Sequence, residues 1–137
     1  IPNIKNITFL DGGGYVGDTL PYIIENFQDF KKIYCIEPNL LHINIAKRNF
    51  NNTKNIEFIN CGLSNKISMQ NVTSKISSNC QHDYNATNIN TIDNIIKEKL
   101  NFIKLDIEGA ELDAIEGAFY TIKKYHPILA ICIYHKA

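Results

Sequence analysis

A short apolar run, Ile7–Leu10, stops at Asp11 and then meets three consecutive glycines, Gly12, Gly13 and Gly14, with Gly17 three residues on. A strand cannot continue through such a run, so FLDGGGYVGDT at 9–19 reads as a buried strand followed by a tight turn. Asp18 or Thr19 is placed to cap a helix running to about Phe30, with Leu20, Ile23, Ile24 and Phe27 on one face and Pro21 in its first turn. Gly12, Gly14 and Gly17 fit the spacing G-x-G-x-x-G. A turn of this kind lets backbone approach a ligand, and the helix N-terminus after it favours negative groups. The spacing alone leaves three readings open: a dinucleotide site, another nucleoside site, or a structural turn.

The rest of the chain repeats the pattern. KIYCI (32–36) predicts a second strand ending at Glu37-Pro38. Asn39 opens a second helix to about Phe50, with Leu40, Ile43 and Ala46 in phase, and residues 51–55 form a polar turn. Ile56–Cys61 predicts a third strand stopped by Gly62. Thr91–Leu100 predicts a short helix, Phe102–Ile107 a fourth strand, and Gly109–Tyr125 one long helix with Leu112, Ile115, Ala118, Phe119 and Ile122 facing inward. Pro127 stops that helix before a fifth strand, Ile128–Tyr134. Residues 64–90, rich in Ser, Asn and Thr, predict a variable insertion holding one or two short strands or a loop. Alternating apolar strands and helices imply an α/β fold whose sheet is mostly parallel and covered on both faces. Right-handed crossovers suggest the order 3-2-1-4-5, with ligands at the carboxyl ends of the central strands. The apolar fifth strand leaves an edge open to a second copy, as in a homodimer.

With 137 residues the chain reads as one domain, and its opening on Ile1 reads as that of a fragment. A formal net charge of zero argues against a nucleic-acid partner, and no polybasic or spanning segment suggests membrane insertion. The absence of a signal pattern points weakly to the cytoplasm. Cys35, Cys61, Cys80 and Cys132 form no C-x-x-C pair and read as reduced thiols. His42, His82, His126 and His135 are scattered, so no metal is expected. His126 falls at a helix C-terminus, where the dipole favours it.

Carboxylates sharpen the glycine signal. Asp11 ends the first strand, and Glu37 ends the second, where it could accept two hydrogen bonds from a ribose diol. A diphosphate beside Asp11 would cost on the order of 4 kcal/mol at about 4 Å and an effective dielectric near 20. S-adenosylmethionine brings an ammonium and a sulfonium instead, and its carboxylate could meet backbone N–H groups around Gly13–Gly17. These electrostatics favour a methyl donor over NAD. Strand alternation puts Phe102, Lys104 and Asp106 on one face, so Asp106 is the expected partner of Lys104. Asp106 is the first candidate to orient or deprotonate an acceptor, with Glu108 and Lys104 beside it and His135 at the same rim. Glu108 and Glu111 also suit the first turn of a helix as negative charges. An NAD-dependent oxidoreductase and a non-catalytic nucleoside-binding module remain alternatives.

The blocks LDGGGYVGDT (10–19), CIEPN (35–39), NCGLSN (60–65), TIDNI (91–95), FIKLDIEGAELDAIEGA (102–118) and HPILAICIYHK (126–136) occur in an order that resembles FkbM-type methyltransferases. FIKLDIEGAE is the most specific of them. The resemblance implies a Rossmann-like class I methyltransferase three-layer sandwich that uses S-adenosylmethionine to O-methylate a hydroxyl of a sugar, glycoconjugate or natural product. The reading of the residues themselves puts Asp11, Gly12, Gly13, Gly14, Gly17 and Asp18 on the expected cofactor side, together with Glu37 and Pro38. Gly62 and Leu63 are expected against the adenine. Asp106, Glu108, Lys104 and His135 form the catalytic set. The family core continues into a closing antiparallel hairpin, and a chain ending at Ala137 is expected to lack it.

Overall fold

The computed structural model describes residues 5–73 and 84–134. β1 (Thr8–Gly12) is buried along its whole length because it is the middle strand of five. On one side it pairs with β2 (Lys32–Ile36), which pairs in turn with β3 (Ile56–Ile59). On the other side it pairs with β7 (Phe102–Leu105), which carries β8 (Ile128–Ile131) at the edge. Every pairing in this sheet is parallel, and the order β3-β2-β1-β7-β8 is the expected 3-2-1-4-5 arrangement.

Alternation along the strands builds a core on each face. Phe9, Ile33 and Cys35 pack with Leu20 and Ile23 of α1 (Leu20–Asn26) and Ile43 of α2 (Leu40–Asn49). Leu10, Tyr34, Ile36, Ile103 and Leu105 pack on the other face with Ile92 of α3 (Ile92–Ile95) and Ala114 of α4 (Glu111–Glu116). Asn39 caps α2 as expected, its side chain accepting from the N–H groups of Leu41 and His42. α1 ends at Asn26, earlier than Phe30, and Leu40 is exposed rather than inward.

The long helix expected over Gly109–Tyr125 is two helices, α4 and α5 (Phe119–Tyr125). Tertiary contacts divide it. A side chain at Gly117 would run into the carbonyl of Ser64. The Asp93 carboxylate accepts from the N–H groups of Tyr120 and Thr121, so α5 starts afresh on an acceptor from outside. The buried positions become Glu111, Ala114, Ala118 and Thr121, whereas Leu112 and Phe119 point outward. His126 ends α5 in a left-handed conformation.

The third strand also ends early. Past Ile59 the chain leaves the main sheet, and β4 (Gly62–Leu63) joins a second sheet of order β4-β6-β5. β5 (Ser68–Thr73) and β6 (Tyr84–Asn90) give the 64–90 insertion its antiparallel ladder. β8 stops at Ile131, three residues before the expected end. No helix among the described residues is long and apolar enough to cross a membrane. Cys35, Cys61 and Cys132 are free thiols; burial pushes Cys35 up to about 12 and Cys61 up to about 11. Cys80, His82 and His135 lie outside the described residues.

Candidate functional site

At the carboxyl end of β1 the chain turns at once. Gly13 has φ of 79°, and a β-carbon there would collide with the carbonyl of Asp106. This close approach binds the turn to the segment after β7. The Gly13 and Gly14 N–H groups both donate to the Ile36 carbonyl at 2.9 Å, Gly17 N–H donates to Gly14, and Tyr15 N–H donates to Glu37 Oε2 at 3.0 Å. These four donors therefore serve the turn itself. These four N–H groups thus already have acceptors inside the protein, which narrows the donors around Gly13–Gly17 that could meet a guest's carboxylate. Gly12, Gly14 and Gly17 are buried inside the turn, and Gly13 lies at the cleft.

The cleft has a volume of about 550 Å³. Gly13, Tyr15, Asp18 and Thr19 wall it from the glycine turn, with Glu37, Pro38, Asn39 and His42 from the end of β2 and the start of α2. Asp106, Ile107 and Glu108 from the end of β7, and Tyr134 beyond β8, form the opposite wall. Lys104 lies at the floor. A larger hollow of about 810 Å³ sits beside α1, lined by Phe9, Phe27 and Phe102 among others, and shares Thr19 and Lys104 with the cleft. The cleft at the strand ends gathers the carboxylates, and chemistry at an open parallel sheet belongs there.

Glu37 is buried, with 7% exposure, and its carboxylate is fixed from two sides. Oε2 accepts from Tyr15 N–H and Oε1 from Asn39 N–H at 2.9 Å, while His42 Nδ1 stands 3.6 Å from Oε1. A carboxylate offers about four acceptor positions, so the two backbone donors orient it without exhausting it. The Tyr15 and His42 rings meet edge to face at 4.5 Å at the same lip.

The floor corrects the expected pairing. Lys104 Nζ bonds Asp11 Oδ1 at 2.7 Å, with Gly13 O and Thr19 Oγ1 each 3.4 Å away. The parallel register sets Asp11 directly beside Lys104, whereas Asp106 has already left the strand. Asp11 is fully buried and does not line the cleft. Desolvation raises its pKa above the ordinary carboxylate value, and Lys104 restrains the rise. Its charge is matched internally, so it no longer supplies the repulsion invoked above against a diphosphate. Lys104, expected among the catalytic groups, is held by three acceptors. It is a paired strand lysine, as expected, but its partner is Asp11 and not Asp106.

Asp106 is half-buried, and Tyr134 Oη lies 3.4 Å from both of its oxygens. The Asp106 charge is the main cause raising the Tyr134 phenol above its usual pKa. Glu108 is exposed on a left-handed backbone, φ 55°. Gly62 and Leu63 are buried behind this surface: Leu63 belongs to the core, and a β-carbon on Gly62 would press on Ile89. Neither lines the cleft. Sequence reasoning missed Tyr15, Asn39 as a wall residue, His42 and Tyr134. Tyr15 and Asn39 flank motif residues, and that proximity was the available signal. No group of three or more metal-ligating side chains gathers among the described residues.

Comparison with known proteins agrees with this architecture. The structure is similar to that of the methyltransferase FkbM from Methylobacillus flagellatus KT, with a TM-score of 0.81 and 26% identity over 99% of this chain and 35% of that one. It shares its fold with the plantazolicin methyltransferase BamL, solved with a triazolic desmethylPZN analog and SAH, at a TM-score of 0.55 and 18% identity, covering 89% of this chain and 35% of that one. The chain thus spans well under half the length of either structure. No functionally curated protein matches it. Residues 6–137 match the family described as the methyltransferase FkbM domain, and the chain belongs to that family.

Proposed function

We propose that this domain binds S-adenosylmethionine in the cleft and directs methyl transfer to a hydroxyl of a sugar, glycoconjugate or natural product. The observation that carries the reading is the charge of the walls. Asp18, Glu37, Asp106 and Glu108 line the cleft, and the one lysine among the described lining residues is already matched by Asp11. A site of this sign attracts a cationic guest and repels a diphosphate. These four side chains, and not Asp11, therefore disfavour NAD.

The residues present fit the cofactor. Glu37, pinned by two backbone donors, keeps acceptor capacity for a ribose diol. A cleft of about 550 Å³ is in the range that holds ligands of this size. When bound, S-adenosylmethionine supplies an electrophilic methyl group on its sulfonium. The protein's part is to hold the acceptor oxygen in line and to take up its proton. Asp106 is the residue for that task, with Glu108 and Tyr134 as neighbouring hydrogen-bonding groups that suit a polyhydroxylated acceptor. The family relationship supports the same reading.

Calorimetric titration with S-adenosylhomocysteine and, separately, with NAD tests the proposal. Binding of the first and not the second is expected. Tight NAD binding without S-adenosylhomocysteine binding would overturn it. A screen for products heavier by one methylene after incubation of cell glycans with the methyl donor then identifies the acceptor.

A further inference from the structure

Glu111 opens α4, and its sequence position suggests nothing beyond a negative charge at a helix start. The structure gives it a more specific task. Its side chain is buried, with 8% exposure, and turns back against the chain direction. Oε1 accepts from Ile107 N–H and Oε2 from Gly109 N–H, both at 2.9 Å. The two bonds straddle Glu108. Glu108 and Gly109 are both left-handed, with φ of 55° and 100°, a conformation that costs on the order of 1–3 kcal/mol at a non-glycine residue unless its surroundings impose it. The residues so held, Asp106 to Glu108, form one wall of the cleft, while Glu111 itself lies behind that wall. Ala110, at the helix cap position, makes no side-chain cap bond, and both Glu111 carboxylate oxygens accept from the turn before the helix.

We propose that Glu111 is a positioning residue: its carboxylate clamps the left-handed turn at 107–109 and so fixes the wall that carries Asp106, Ile107 and Glu108. The clamp is a property of the free protein. Its consequence for ligand affinity rests on the methyl-donor reading above. Two features make the clamp separable from a simple charge effect. Asp at 111 keeps the negative charge that a helix start favours, but it is one methylene too short to reach both N–H groups. Gln at 111 keeps the length but turns an amide donor toward one of them.

The test uses the whole chain in two arms. In the first, amide hydrogen exchange is followed in the absence of ligand. E111Q is expected to speed exchange by about tenfold or more at whichever of Ile107 and Gly109 faces the amide nitrogen, with the Ile122 amide of α5 unchanged. Wild-type protection at Ile107 and Gly109 in E111Q overturns the clamp. In the second, S-adenosylhomocysteine is titrated calorimetrically. E111Q and E111D are each expected to raise its Kd about five- to tenfold, as for loss of one charge-assisted bond. Gly109→Ala attacks the same turn through backbone alone, because a β-carbon there meets nothing within 4 Å. It is expected to produce a loss of similar size, and to add little when combined with E111Q. Wild-type affinity in E111D and Gly109→Ala overturns the positioning role and returns Glu111 to a helix-start charge. If the unaltered protein binds no S-adenosylhomocysteine, the methyl-donor reading fails, and the exchange arm still decides the clamp.

Discussion

Glu37 and Asp106 follow the ends of β2 and β7, the two strands that flank β1, yet the protein treats them differently. Glu37 is buried, and backbone N–H groups from two neighbouring segments hold both its oxygens. Asp106 is half-buried, meets an exposed tyrosine at 3.4 Å, and stands on a segment kept in place from behind. One wall is pre-organised by main chain, which costs no side-chain entropy on binding. The other presents more exposed side chains able to adapt to their guest. The comparison teaches where to seek an invariant ligand and where a variable one: on the methyl-donor proposal, the pinned wall is assigned the cofactor and the adaptable wall the acceptor. Lys104 belongs to neither. It rises from β7 and bonds Asp11 on β1, so both walls stand on the same ion pair, buried on its Asp11 side.

The largest effect should come from removing that shared floor. Lys104→Met leaves the Asp11 carboxylate buried without its counter-charge, and breaking a buried pair from one side costs about 3–5 kcal/mol. The pH dependence gives the sign. Asp11 has a raised folded-state pKa, so its contribution to stability is complete below its ordinary value of 3.8 and is lost as pH rises through the folded value. Lys104 is the main cause opposing that rise, and its removal raises the folded value further. The destabilisation in Lys104→Met is therefore expected to be greatest at neutral pH and to shrink in acid. Urea unfolding of both proteins at several pH values measures it, and a penalty that grows in acid would contradict the pairing.

Next comes the contact that joins the walls. Gly13→Ala forces a left-handed backbone on alanine and drives its β-carbon into the Asp106 carbonyl. We expect a loss of about 2–3 kcal/mol in stability, with S-adenosylhomocysteine binding abolished because both walls shift. Glu37→Ala should follow. It removes the diol acceptor proposed above and leaves the N–H groups of Tyr15 and Asn39 without their partner, for about 1–3 kcal/mol in affinity. Calorimetry on each variant checks the order. Undiminished binding in Glu37→Ala would break the assignment of the pinned wall to the cofactor.

The two walls were unequally legible in the sequence. The glycine turn, Glu37 at a strand end and the Asn39 cap are local signals, because adjacent residues act on one another there. The sheet order followed from the alternation of apolar runs with helical patterns. Contacts between segments distant in the chain were not legible. Lys104 was matched to Asp106 by alternation within one strand, whereas parallel pairing set it beside Asp11. The long helix was divided by Asp93 and Ser64, neither of which belongs to it. That division left Leu112 and Phe119 outside, although their spacing fitted an inward face. Tyr134 falls inside the HPILAICIYHK block with no role attached to it, and its place beside Asp106 depends on how β8 lies against β7. Glu111 was read as a charge on a helix because a side chain that reaches backward to a turn leaves no periodic trace.

The smallest effect on the cofactor is expected at the adaptable wall, and it tests the comparison most sharply. Asp106→Asn removes one charge and keeps the shape. An asparagine oxygen still accepts from the Tyr134 phenol, so the segment should stay where Glu111 holds it. If the side chain serves the acceptor, S-adenosylhomocysteine affinity should stay within about twofold, or roughly 0.4 kcal/mol. Methyl transfer to an acceptor found in the glycan screen should fall by about 10²-fold or more, since an amide cannot take the hydroxyl proton. The Tyr134 phenol supplies an independent check. Its pKa is raised chiefly by the Asp106 charge, so the variant should let it ionise at lower pH, visible as tyrosinate absorbance. That change would show that the substitution reached the intended spot even where cofactor binding is untouched. Equal losses of S-adenosylhomocysteine affinity in Glu37→Ala and Asp106→Asn would erase the division of labour between the walls, and the cleft would then be one cofactor site with its acceptor elsewhere.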